Sequence, residues 1–128
     1  MNLTLSLLPE KLAICRLPPD AGVPNWAYGS RFLSITRTSD ELSIVCTVAG
    51  VPKDVKSDRG WRCLKVAGPL DLALTGVLAS LTNPLAEAQI NIFAISTYDT
   101  DYLLVKEENL ARSIDALTRS GHLVVGLE

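Results

Sequence analysis

The stretch WRCLKVAGPLDLALTGVLASLTNPLAEAQINIFAISTYDTDYLLVKEENLARSIDALTRSGHLVV, residues 61–125, decides the fold. Trp61–Ala67 alternates apolar and polar side chains and reads as a strand, which Gly68 and Pro69 end. Beyond Leu72, the apolar positions Leu74, Leu78, Leu81, Leu85 and Ala88 are four or three residues apart, the spacing of one helix face. Pro84 lies inside that pattern and lacks the amide a helix interior uses, so a kink is expected there. Ile90–Thr97 and Asp101–Val105 are strand-like runs joined by a bend at Tyr98, Asp99 and Thr100. Glu107 and Glu108 suit the first turn of a second helix, with Leu110, Ile114 and Leu117 as its stripe and Gly121 just past its end. His122–Val125 closes the stretch as a strand. The spacing predicts helices over about 73–88 and 107–119 and strands over about 61–67, 91–97, 101–105 and 122–125. Leu78, Leu81, Leu85, Ile114 and Leu117 should be buried, because helix stripes must meet a sheet. The order β-α-β-β-α-β is the ferredoxin-like arrangement: an α+β fold, an antiparallel sheet with helices on one face.

The preceding residues are less well patterned. Residues 3–8 and 11–16 are apolar runs split by Pro9, Glu10 and Lys11, and read as two strands joined by a turn. Residues 17–30 carry Pro18, Pro19, Gly22, Pro24 and Gly29, which predicts a loop with one helical turn near Trp26. Arg31–Arg37 and Glu41–Val48 read as strands, with turn formers Thr38, Ser39 and Asp40 between them. The charged run 49–60, with Gly50 and Pro52, is the expected boundary. The division is therefore a degenerate, strand-rich unit over 1–58, its first helix reduced to the proline-rich loop, and the well-patterned unit over 59–128.

Composition excludes several classes of function. The 128 residues suffice for one compact domain or two half-size units sharing a core. With 48% apolar and 20% charged residues the chain is globular rather than disordered. A net charge of −2 without a basic run offers no footprint for nucleic acid or an anionic membrane. No apolar stretch reaches the ~18 residues of a membrane span, and the start lacks the positive region of a signal peptide. Cys15, Cys46 and Cys63 lie in apolar strands outside any C-x-x-C pair and read as buried, reduced thiols. His122 is the single histidine, so no His-rich metal site is expected. Neither a P-loop nor a Gly-x-Gly-x-x-Gly run is present, and no enzymatic activity, metal or cofactor is expected.

The polar residues favour binding. The junction at 67–76 should present free amides at a helix N-terminus, which suits a carboxylate. The bend at 97–101 carries hydroxyls and carboxylates, which suits an ammonium group. An α-amino acid carries both charges on one carbon. The competing reading is structural: Asp101 caps a turn and Gly76 lets the helix pack closely. Residue types and spacing alone leave both readings open.

The run from Gly68 to Leu110, above all ISTYDTDYLLV after PLAEA, resembles the ACT domain, in the branch shared with the cytosolic arginine sensor of animal nutrient signalling. FLSITRTSDELSIV resembles the strand hairpin of a preceding ACT-like unit. The resemblance implies a tandem ACT protein holding a small ligand, an amino acid, between neighbouring units. Gly76 then corresponds to a glycine whose backbone approaches the ligand, and Thr97, Tyr98 and Asp101 to the strand-bend residues of the binding copy. Asn91 and Ile92 correspond to residues supplied by the neighbouring copy, which implies a homodimer. Thr100 departs from the pattern, which has an aromatic residue in the arginine-binding copy, so arginine is not singled out. A cytoplasmic regulatory protein acting on a protein partner follows from the same likeness. The alternative is an ACT-like interaction module without a ligand.

Overall fold

The computed structural model describes residues 1–126. In chain order the elements are β1 (Thr4–Leu7), β2 (Leu12–Leu17), β3 (Ser34–Arg37), β4 (Leu42–Thr47), β5 (Ser57–Val66), α1 (Val77–Glu87), β6 (Phe93–Ser96), β7 (Asp101–Lys106), α2 (Leu110–Arg119) and β8 (Leu123–Val125). The strands form a mixed sheet, and the fold is α+β. Two compact units are distinguished: Glu10–Trp61, and Met1–Pro9 together with the chain from Arg62 onward.

The second of these units follows the β-α-β-β-α-β order from β5 to β8. It gains a strand that the sequence pattern did not assign to it. β1 pairs antiparallel with β5, Leu5 opposite Val66, and parallel with β8, Leu5 opposite Val124. The local order is β6-β7-β5-β1-β8. Residues 1–9 therefore belong here rather than with the expected 1–58 half, and the sheet is mixed rather than wholly antiparallel. The expected turn at Pro9-Glu10-Lys11 does not pair β1 with β2, because each strand pairs antiparallel with its own part of β5. Burial is the cause on the β1 side: Leu5 is fully buried in one cluster with Leu64, Val66, Leu81, Leu85, Leu103, Val105 and Leu117.

Leu81, Leu85 and Leu117 are buried as their spacing requires, while Leu78 and Ile114 are half-buried against the same core. α1 begins at Val77, later than the expected 73. Asp71 explains the delay. Its carboxylate accepts the Ala73 amide at 2.9 Å, and its carbonyl accepts the Leu74 amide at 2.9 Å. That local turn competes with a helix. Gly76 then takes a left-handed φ of +82° as the residue before the helix, so Leu74 stays outside it and exposed. Both helices end alike. Gln89 (φ +59°) and Gly121 (φ +95°) follow the last turns, and the amides of Ile90 and His122 reach back to the carbonyls of Leu85 and Leu117. The Ile90 turn also delays β6, which starts at Phe93 rather than 91.

The unit 10–61 has strand order β3-β4-β2 and then Ser57–Trp61 of β5, all antiparallel. β5 begins at Ser57, inside the charged run expected to be loop. The proline-rich segment carries one 3-10 turn, Asn25–Gly29, whose Ala27 is buried with Ala13, Cys15, Leu42, Ile44, Cys46 and Val51. Burial pushes the Cys15 thiol up and the Cys46 thiol up to about 11, with Cys15 beside it adding to the rise. All three cysteines are buried thiols outside any disulfide.

Candidate functional site

The site begins with the turn joining β6 and β7. The Thr97 amide donates to the Thr100 carbonyl at 2.9 Å, and the Thr97 hydroxyl donates to the same oxygen at 3.0 Å. Tyr98 and Asp99 sit at the tip, and Tyr98 is 80% exposed. The turn is anchored at two further points. The Thr100 hydroxyl, itself buried, donates to the Val66 carbonyl at 2.7 Å, and the Leu70 amide donates to the Asp99 carbonyl at 2.6 Å. The bend is thus tied to the end of β5 and to the segment leading into α1.

Those ties enclose a cavity of about 310 Å³ between the bend and the start of α1, lined by Asp71, Gly76, Val77, Leu78, Thr97, Asp101 and their neighbours. Four of the six residues singled out in the sequence, Gly76, Thr97, Tyr98 and Asp101, line this one cavity. Asn91 and Ile92 do not. They follow the far end of the 11-residue α1, roughly 16 Å along its axis from Gly76. Asn91 is exposed and Ile92 packs against the core.

The two sides of the cavity differ in charge. On one side no side chain caps α1, and its ladder starts with the Ser80 amide on the Gly76 carbonyl at 3.0 Å. The amides of Val77, Leu78 and Ala79 therefore precede the ladder, at the positive end of the helix dipole. On the side of the bend are the carboxylates of Asp99 and Asp101; Asp71, in the segment leading into α1, also lines the cavity, and none of the lining residues is basic. Asp101 opens β7 opposite Ser96, whose hydroxyl donates to Asp101 Oδ1 at 2.6 Å. The arrangement can take a negative group on amides and a positive group on a carboxylate.

Sequence reasoning missed Thr100, Ser96 and the apolar rim. Thr100 entered as a bend residue and as a departure from a pattern, yet its hydroxyl locks the bend. Leu74 counted toward a helix face, but Leu72 and Leu74, at 68% and 47% exposure, line the cavity beside Tyr98. Among the described residues no group of three or more His, Cys, Asp or Glu is arranged to hold a metal ion. No helix among them is long and apolar enough to cross a membrane.

Comparison with known proteins agrees with this architecture. A family model described as ACT domain matches residues 56–119, half of the chain. A second, described as an N-terminal domain, matches residues 10–54. The rat protein named "Cytosolic arginine sensor for mTORC1 subunit 1" is 35% identical over 109 residues, covering 80% of this chain and 31% of that protein. The cattle protein of the same name is 29% identical over 100 residues, covering 70% of this chain and 30% of that protein. The chain spans about a third of the length of these relatives. A solved structure of a protein from Agrobacterium tumefaciens superposes with a TM-score of 0.92 at 42% identity, covering 98% of this chain and 93% of that one. The ligand-free regulatory subunit of aspartate kinase from Thermus thermophilus shares the fold, with a TM-score of 0.64 at 9% identity over 91% of this chain and 96% of that one. With the β-α-β-β-α-β unit in place and the family match covering half its length, the chain belongs to the ACT-domain family.

Proposed function

We propose that this protein is a regulatory, non-enzymatic binder of a free amino acid, working in the cytoplasm. The observation that carries the reading is the cavity whose two sides match a zwitterion: leading amides of α1 opposite the Asp101 carboxylate. The relatives named as arginine sensors support an amino acid as the ligand class. In this reading a homodimer completes the site, the second copy bringing Asn91 and Ile92 to a cavity they do not reach within one chain. Output passes to a protein partner or to the dimer equilibrium itself.

The experiment is a thermal-shift screen against the twenty amino acids, singly at millimolar concentration. A ligand at one hundred times its dissociation constant stabilises by about 2.7 kcal/mol, several degrees for a chain of this size. Light scattering with the best hit should report a dimer. A second reading, a ligand-free interaction module, draws on the exposed Leu72, Leu74 and Tyr98, an apolar rim suited to another protein. No shift with any amino acid would favour it.

A further inference from the structure

Pro84 stands inside α1 and has no amide to donate. The acceptor left over is the Ser80 carbonyl, four residues earlier. That oxygen is taken from elsewhere in the chain: His122 Nε2 lies 3.0 Å from it. The other ring nitrogen, Nδ1, accepts the Leu3 amide at 3.1 Å. With Nδ1 accepting, the proton of the neutral ring belongs on Nε2, and the Ser80 carbonyl receives it. The residue is 4% exposed, so water does not stand ready to replace either partner. The backbone around the ring is fixed too. The His122 amide closes the end of α2 on the Leu117 carbonyl at 3.1 Å, and the next amide, Leu123, donates to the Leu3 carbonyl at 2.9 Å.

Ser80 is more than a point along the helix. Its amide bonds the Gly76 carbonyl at 3.0 Å, and its hydroxyl donates to the Val77 carbonyl at 2.8 Å. Gly76 and Val77 line the cavity. We infer that His122 is a positioning residue for the cavity: it supplies the donor Pro84 lacks and so holds the first turn of α1 in register with β1 and β8. The amino-acid reading enters only in what the cavity is for. The hydrogen-bond relay stands whether or not an amino acid binds.

The test uses the free protein, so its failure is distinct from the failure of any ligand titration. His122 is the chain's single histidine, which makes a nitrogen-detected NMR spectrum of the ring unambiguous. The expected result at neutral pH is one neutral tautomer, protonated on Nε2. A ring protonated on Nδ1, or averaging between tautomers, overturns the inference. His122→Leu fills the space without either bond. It should lower Tm by roughly 5 °C and move the backbone amide resonances of Gly76, Val77 and Leu78. His122→Gln, which carries an acceptor and a donor in one side chain, should return part of both. Pro84→Ala gives the helix its own donor for Ser80. On that background His122→Leu should cost clearly less stability and leave the cavity resonances near their native positions. A folded double variant supports the inference even if His122→Leu alone fails to fold. Equal losses on both backgrounds overturn it, as do cavity resonances that His122→Leu leaves in place.

Discussion

Two hairpins in this chain are nearly the same object. In each, a four-residue strand meets a six-residue strand across a four-residue turn, followed at once by a three-residue 3-10 turn: β3, β4 and Val48–Gly50, then β6, β7 and Glu107–Asn109. Every boundary in the second set lies 59 positions after its counterpart. Both turns close alike, the Thr38 amide on the Glu41 carbonyl and the Thr97 amide on the Thr100 carbonyl, each at 2.9 Å. Around them the units diverge. After Asn109 the chain continues into α2, whereas after Gly50 it reaches Pro52, and Val51 is extended at φ −83°, ψ 122°. Proline disfavours the helical region in the residue before it, so the helix stops after its opening turn. The segment between β2 and β3 carries Pro18, Pro19 and Pro24 and forms one 3-10 turn where the later unit builds α1. The hairpin tolerates loss of both helices because its own ladder satisfies its backbone. The cavity does not, because one of its walls is the start of α1.

The largest expected effect comes from exchanging the residue that opens the second strand. It is Asp101 beside the cavity in one hairpin and the fully buried Leu42 in the other. Leu42→Asp removes core volume and leaves a carboxylate without a partner, and should cost about 5 kcal/mol in chemical denaturation. A loss under about 1 kcal/mol would mean that the two positions are not opposites in environment and that the comparison is superficial.

The next contrast is two strand positions further in from Ile44 and Leu103, where Cys46 corresponds to Val105, both buried. A thiol raised from 9.0 to about 11 stays neutral in the folded chain while the unfolded chain ionises. The stability this represents is fully present below pH 9 and is lost as pH rises from 9 to about 11. A difference of this size corresponds to about 2–3 kcal/mol. Cys46→Val makes the first hairpin match the second and should remove most of that alkaline loss. Urea melts of both proteins at pH 7.5 and 10.5 provide the measurement, and an unchanged pH dependence in Cys46→Val would place the titration elsewhere.

How much of this was legible in the sequence follows from the range of the interactions. α2 and the interior of α1 were readable because Leu78, Leu81, Leu85, Leu110, Ile114 and Leu117 repeat with the helical period, a local signal. Leu74 fits that period too, and nothing in the period reveals that the Asp71 carboxylate holds the Ala73 amide in a turn. The place of β1 was hidden because its partners, Val66 and Val124, are far along the chain. Of the candidate site, Gly76, Thr97, Tyr98 and Asp101 could be found from residue chemistry and family likeness, since helix start and bend are sequence features. Thr100 could not, because its role depends on a carbonyl at Val66 that only the folded chain brings near.

Asp101→Asn tests whether the difference between the hairpins is functional. A charge-assisted bond to an ammonium group contributes about 1.5–3 kcal/mol, so affinity for a confirmed amino-acid ligand should fall roughly 10-fold to 150-fold. The Asp101 carboxylate accepts the Ser96 hydroxyl, and asparagine keeps an oxygen that accepts it. Stability should therefore change by no more than about 0.5 kcal/mol. Unchanged affinity, measured by calorimetry beside a melting curve, would return Asp101 to the structural reading.

The smallest effect expected is at Thr100, and it separates holding the bend from touching a ligand. Its counterpart, Glu41, is partly exposed at the same place in the other turn. Thr100→Val preserves the branched shape but deletes the hydroxyl that donates to Val66, leaving that carbonyl short of a partner in a buried setting. The cost should be about 1 kcal/mol, partly offset by the added methyl group. Glu41→Gln, at the equivalent turn position, should change stability by less than about 0.5 kcal/mol. Affinity of Thr100→Val for an amino acid should fall only a few-fold, because Asp101 and Thr97 keep their own bonds while the bend loosens at its anchor. A loss of affinity as large as that of Asp101→Asn, without loss of stability, would make the Thr100 hydroxyl a ligand contact. The cavity would then extend past the bend toward β5, and the lock between Thr100 and Val66 would have to open on binding.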